Sequence, residues 1–256
     1  MQLKDYIPNL DKRYGNTFFS GVSFDSSKVK KDNIFFAIKG NKFDGNNFIK
    51  DAIKKGARII ITEKKFKKNK NILFLFSSNV RKLLAEVSYK IISDRPKKLI
   101  AVTGTNGKSS IADFYYQILD LNLKKVASIG TLGVRYRKNK KPLNNTTLDP
   151  LKLGSIFKEL KKKKINFVIM EASSHGLKQN RLDGLYFDTG IFTNLSHDHL
   201  DYHKSMKNYL DSKLYLFRKL IKKNGNIISD ENIKQINKIK KIAVKKNLDL
   251  SLIYGK

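Results

Sequence analysis

Cysteine is absent from this 256-residue chain, and so is tryptophan. Without cysteine there is no disulfide framework to staple a small core and no thiol for nucleophilic or redox chemistry. Acidic residues are scarce, 22 against 53 basic ones, giving a formal net charge of +31. Arginine is scarce too, at eight of those 53. The lysines are spread along the whole length with many Asn and Ile beside them. That pattern reads as a genome-wide residue preference, not as a clustered nucleic-acid patch. Runs such as Lys161 to Lys164 read as a solvated helix end. The positive field still favours polyanionic ligands, nucleotides among them. No apolar run approaches the roughly 20 residues a membrane span needs. The N-terminal MQLKDYIPNL lacks the apolar core of a signal peptide. These absences lead to the expectation of a soluble, cytoplasmic protein with no membrane and no nucleic-acid partner. A hydrophobic content of 40% with 11% aromatic residues excludes a disordered chain. The length suffices for a sizeable core and predicts two domains.

What is present is organised around VTGTNGKSS, Val102 to Ser110. Lys98 to Thr103 reads as a buried strand, and Ser109 to Leu119 carries apolar residues at helical spacing. Strand, glycine turn and a helix opening on Lys-Ser make a P-loop arrangement. Gly104 and Gly107 let backbone N–H groups close on phosphate oxygens, and Thr105, Asn106 and Ser110 complete the loop. The helix N-terminus adds partial positive charge. Lys108 can reach terminal phosphates, and the Ser109 hydroxyl can ligate Mg²⁺. The first glycine of the usual pattern is replaced by Val102. A tight strand-to-helix turn with a solvent-facing Lys108 is the bland alternative.

Upstream, short strands are expected at Phe18 to Phe24, Ile34 to Ile38, Arg58 to Thr62 and Ile72 to Phe76, with helices at Phe48 to Lys55 and Val80 to Ile92. This is a small α/β domain over residues 1–96, ended by the break at Pro96. From Lys98, strands at Val126 to Ile129, Phe167 to Met170, Phe187 to Phe192, Ile227 to Ile228 and Leu248 to Ile253 alternate with helices. Those helices fall near Leu151 to Lys162, Met206 to Leu220 and Asn232 to Lys245. The alternation predicts a parallel sheet with helices on both faces over 97–256, with ligands beyond the C-terminal strand ends.

All four histidines lie between positions 175 and 203, three of them in NLSHDHLDYH after a predicted strand. That loop is dense in oxygen and nitrogen ligands, with a solvated or capping loop as the plain alternative. Glu171 ends another predicted strand, well placed to hold Mg²⁺ in a P-loop fold. Lys213 lies one turn from Tyr209 and Phe217, near the apolar face of its helix, where periodicity alone reads it as a snorkelling side chain.

Together these stretches resemble the Mur ligase superfamily, and within it the UDP-N-acetylmuramoyl-tripeptide synthetase (MurE) group. The resemblance covers nearly the whole chain. Phe24 to Ala57 is similar to that group's uridine-binding domain, and TGTNGKSS is its form of the P-loop. NNTTLDPLKL (Asn144 to Leu153), MEASSHGLKQNRLDG (Met170 to Gly184) and FTNLSHDHLDYH (Phe192 to His203) follow in the family's order.

The resemblance implies ATP-dependent amide ligation in peptidoglycan precursor synthesis. A diamino acid, meso-diaminopimelate or L-lysine, would be added to UDP-MurNAc-L-Ala-D-Glu through an acyl phosphate. It implies ATP and Mg²⁺, with Lys108 on phosphate and Ser109 on one metal ion. Glu171, His199 and a carbamoylated Lys213 would serve the second. Ser26, Asn145, Thr146, Thr147, Ser173, Gln179 and Arg181 match positions that hold the UDP-sugar peptide, and uracil contacts fall around Asn41 to Phe43. Family members carry a third, C-terminal domain for the incoming amino acid, which these residues do not include. The expectation is therefore a fragment, or one part of a split enzyme completed by another chain, with weak nucleotide binding and little turnover alone; a monomer is expected. Folylpolyglutamate synthases of the same superfamily lack the uridine domain and fit less well. A basic nucleic-acid-binding P-loop NTPase needs a clustered basic face.

Overall fold

The computed structural model describes residues 1–40, 43–66 and 71–254. It divides into two compact units, Met1–Ile91 and Ile92–Lys256.

In the first unit, β1 (Gly21–Ser23), β2 (Asn33–Phe36), α1 (Ile49–Lys54), β3 (Ile59–Thr62), β4 (Leu73–Phe76) and α2 (Val80–Ile91) follow one another. The strands form a parallel sheet in the order β1-β2-β3-β4. Strands β2 (NIFF) and β3 (IIIT) are buried at every position. A strand alternates its side chains between faces, so both faces of this sheet are covered. Ile34, Phe36, Ile59 and Ile61 pack with Val80, Leu84 and Val87 of α2. Phe35 and Ile60 pack on the other side with Ile49 and Ala52 of α1. The β1 strand is shorter than the expected Phe18 to Phe24; Phe18 makes a single bridge to Gln2. Asn41 and Lys42, two of the residues expected near uracil, lie outside the described residues.

The second unit runs β5 (Lys98–Thr103), α3 (Lys108–Leu121), β6 (Val126–Gly130), β7 (Gly133–Tyr136), β8 (Asn139–Lys141), α4 (Pro150–Lys162), β9 (Phe167–Glu171), α5 (Ser174–Lys178) and β10 (Phe187–Phe192). It continues through α6 (Leu200–His203), α7 (Met206–Tyr215), β11 (Ile221–Asp230), α8 (Ile236–Lys246) and β12 (Asp249–Ile253). Its eight strands are ordered β12-β11-β10-β5-β9-β6-β7-β8. They are parallel from β12 to β6, but β7 and β8 are antiparallel, so the sheet is mixed where a parallel one was expected. The hairpin is hard to see in sequence because GVRYRKNKK offers short, basic strands with little apolar signal. The α-helix expected from Met206 to Leu220 ends at Tyr215 and continues as a π-helical turn, Leu216–Leu220.

Register decides where the site forms. Val102 of β5 pairs with Glu171 of β9, Thr103 with Phe192 of β10, and Ile129 of β6 with Met170. Four strands thus end together, and the chain leaves them at Gly104, Thr131, Ala172 and Thr193, along the C-terminal rim of the sheet. Among the described residues no helix is long and apolar enough to cross a membrane.

Candidate functional site

Gly104 and Gly107 carry the phosphate-type loop at φ +152° and +82°, a region side chains with a Cβ rarely adopt. At Gly104 space forbids a side chain as well, because a Cβ there would collide with the Thr193 hydroxyl. The segment after β10 clamps this loop. Thr193 Oγ1 donates to the Asn106 carbonyl (2.6 Å), and Asn194 Oδ1 accepts from the Asn106 N–H (3.0 Å). Thr105 donates its N–H to the Asn194 carbonyl (3.0 Å), and its Oγ1 accepts from the Ser196 N–H (3.0 Å). The Tyr209 hydroxyl lies 3.2 Å from the same Oγ1. Thr193, Asn194 and Ser196 lie within the FTNLSHDHLDYH motif, but the sequence assigns them no part in clamping the loop; a strand end facing the loop across the sheet is the available signal.

Lys108 opens α3, and its ammonium donates to the carbonyls of Gly104 (3.0 Å) and Thr105 (2.6 Å). Burial lowers its pKa, against the opposing pull of Glu171 and Asp198. Lys213 of α7 donates to the same Gly104 carbonyl at 2.6 Å and sits 4.3 Å from the centre of the Tyr209 ring. It is 1% exposed, so the snorkelling reading is overturned: the ammonium points into the protein. Burial, reinforced by the charge of Lys108, brings its pKa down to about 7.

Ser109 donates to Glu171 Oε2 at 3.0 Å. Glu171 is buried and also receives the Thr131 N–H at 2.8 Å. His199, at φ +51°, stands farther out: its N–H is bound by its neighbour Asp198, and its ring lies edge-on to Tyr209 and to His175. Tyr209 therefore links His199 to Lys213. Behind them His203 is buried, and the burial, with the charge of His175 and Lys213, lowers its pKa to about 4. Among the described residues no three His, Asp or Glu side chains group as a metal cage.

Thr147, Ser173, Gln179 and Arg181 form one network beside Glu171. Thr147 Oγ1 donates to the Glu171 carbonyl (3.0 Å) and accepts from the Ser173 N–H (2.9 Å). Arg181 donates to the Thr147 carbonyl (2.5 Å) and twice to Gln179 Oε1. The Ser173 hydroxyl caps α5 by accepting from the Gly176 N–H. Thr146 touches Thr131, Asn145 is exposed, and Ser110 lies exposed on the first turn of α3. Ser26 belongs to the first unit, in the turn that follows β1.

The strand–loop–helix at the C-terminal rim of a mainly parallel sheet defines a P-loop α/β protein. The particular lineage is plain from comparison: the chain belongs to the Mur ligase family. Residues 102–256 match the Mur ligase middle domain and residues 19–101 the Mur ligase family catalytic domain. It is 42% identical over 239 residues to a UDP-N-acetylmuramoyl-L-alanyl-D-glutamate–2,6-diaminopimelate ligase of Rickettsia conorii, covering 91% of this chain and 49% of that one. The corresponding ligase of Clostridium tetani is 38% identical over 242 residues, again 91% of this chain and 49% of the relative. A solved structure of a ligase of the same name superposes with a TM-score of 0.85 at 28% identity, over 99% of this chain and 52% of that one. The chain spans about half the length of the curated relatives it matches.

Proposed function

We propose that this chain supplies the nucleotide-handling parts of an ATP-dependent ligase that joins a diamino acid to UDP-MurNAc-L-Ala-D-Glu. The observation that carries the reading is the meeting of Lys108, Lys213 and the Ser109–Glu171 pair at one rim, beside the Thr147–Arg181 network. A carboxylate is a poor electrophile at neutral pH. Transfer of the γ-phosphate of ATP to the D-glutamate γ-carboxylate releases ADP and creates a leaving group. The amine then forms the amide bond, expelling phosphate and losing a proton. Two anions must approach in the first step, and the Lys108 ammonium offsets their repulsion. Arg181 and Thr146 would hold the peptide side of the substrate, with Asn145, Ser173 and Gln179. The names of the relatives favour 2,6-diaminopimelate as the diamino acid.

The donor set fits Mg²⁺. Ser109 Oγ and Glu171 Oε2, 3.0 Å apart, are hard oxygen ligands. Bound there, the ion would supply charge neutralisation at the phosphates. An ammonium at Lys213 does not suit a second cation, but a lysine titrating near 7 is partly neutral. The free amine can add to CO₂, losing one proton and becoming a carbamate anion. Lys213 in that form, with His199 and Glu171, suits a second Mg²⁺. All three substrates, two nucleotides and a diamino acid, are water-soluble, which suits a reaction in the cytoplasm.

Calorimetric titration of the chain tests the reading. Mg·ADP and UDP-MurNAc-L-Ala-D-Glu are each expected to bind, with Lys108→Ala removing the first and sparing the second. Binding of neither ligand at millimolar concentration overturns it.

A further inference from the structure

Glu171 ends β9 with its side chain 1% exposed, and a carboxylate so enclosed needs its lone pairs filled. Ser109 supplies one hydroxyl, at 3.0 Å from Oε2. Two further donors come from a single residue absent from every motif in the sequence. The Thr131 N–H reaches Oε1 at 2.8 Å, and the Thr131 hydroxyl reaches Oε2 at 3.3 Å. The surrounding turn is built for this approach. Gly130 pairs with Gly133 across the β6–β7 hairpin, leaving Thr131 and Leu132 as a two-residue turn. Gly133 has φ +98°, and a Cβ on Gly130 would collide with the Glu171 carboxylate.

The Thr131 hydroxyl also lies 3.1 Å from Thr146 Oγ1. A hydroxyl has one proton to give. While Thr131 donates to Glu171, Thr146 must donate to Thr131. A relay of hydrogen bonds therefore runs from the 144–147 segment through Thr131 to the carboxylate, which Ser109 meets from the phosphate loop. A cation on Oε2 would compete with both hydroxyl donors but leave the N–H on Oε1 undisturbed.

We propose that Thr131 is a positioning residue: its N–H anchors Glu171 Oε1, and its hydroxyl couples the Oε2 seat of a divalent cation to Thr146. The proposal rests on the reading of Glu171 as a metal-holding carboxylate. It adds to that reading a residue outside the motifs and a route by which the 144–147 segment senses the metal.

The test is ADP affinity of the chain, measured by titration with Mg²⁺ and again with EDTA, for the wild type, Thr131→Val, Thr131→Ser and Glu171→Gln. Residues that orient a metal ligand typically change metal affinity tenfold or more, so Thr131→Val is expected to shrink the Mg²⁺ advantage about tenfold. Its affinity in EDTA should be unchanged, and Thr131→Ser, which keeps the hydroxyl, should behave as wild type. If Glu171→Gln abolishes the Mg²⁺ advantage while Thr131→Val preserves it, the role of Thr131 is refuted and that of Glu171 stands. If Glu171→Gln preserves it, the metal reading fails and this proposal with it. Loss of ADP affinity by Thr131→Val in EDTA as well would mark a structural role and overturn the proposal. So would failure of the wild-type chain to bind ADP at all.

Discussion

Lys108 and Lys213 donate to one carbonyl oxygen, that of Gly104, at 3.0 and 2.6 Å. Both ammonium groups have lost water, and, sharing an acceptor, they also repel each other. The buried one, Lys213, yields: its pKa falls to about 7. The consequence is directional. The folded value lies below the ordinary lysine value, so between about pH 7 and 10.5 the unfolded chain binds the extra proton. Stability rises with pH across that window, and the penalty is fully present below it. Urea denaturation in CO₂-free buffer should find Lys213→Met more stable than wild type at pH 6, with the gap closing toward pH 10. A pH-independent difference would refute the assignment.

The same amine should take up CO₂. Incubated with ¹³C-bicarbonate near pH 8, the wild type is expected to show a carbamate carbon signal by NMR, and Lys213→Met is expected to lack it. An identical signal in both proteins would assign the modification elsewhere.

His203 offers an acid-side counterpart. It is buried, Ser212 Oγ lies 3.3 Å from its Nδ1, and its pKa is lowered to about 4. Since the folded value lies below the unfolded one, stability is lost as pH falls from about 6.5 toward 4. Thermal melts of His203→Phe against wild type should diverge at pH 7 only by a packing offset. The wild type should then lose additional ground by pH 4.5.

Gly104→Ala combines an unfavourable φ with a collision against Thr193. Strain of this kind costs about 1–3 kcal/mol, and relief requires opening the Thr193–Asn106 clamp. The variant is expected to melt lower and lose nucleotide binding. Thr193→Ala should weaken binding without the strain. Normal ADP affinity in Gly104→Ala would show that the loop tolerates the shift.

Arg181→Lys keeps the charge but cannot bridge Gln179 Oε1 and the Thr147 carbonyl with one planar group. Affinity for UDP-MurNAc-L-Ala-D-Glu should drop about tenfold, the cost of a charge-assisted hydrogen bond, with ADP affinity retained. Equal losses for both ligands would point to general disruption of the rim.

Local signals carry far in this chain. Apolar runs such as KLIAVT and FDTGIF became strands over the expected residues, and the Asp149–Pro150 start of α4 is a local capping device. The family motifs contain Lys108, Ser109 and Glu171, while Lys213 stands outside them and is pointed to only by the wider resemblance. Short-range pattern fails where contacts are long-range or strands too polar to announce themselves, as in the β7–β8 hairpin. By itself the sequence determined most of the strands and longer helices and the glycine turn between β5 and α3, because those rest on side-chain periodicity and on glycine at positive φ. Only the tertiary structure decided that Lys213, 109 residues from Gly104, turns inward to its carbonyl. Likewise it alone made Thr131 a partner of Glu171. The reason is register: where parallel strands end depends on how a whole sheet pairs, and no local stretch of residues encodes which loops will meet at its rim.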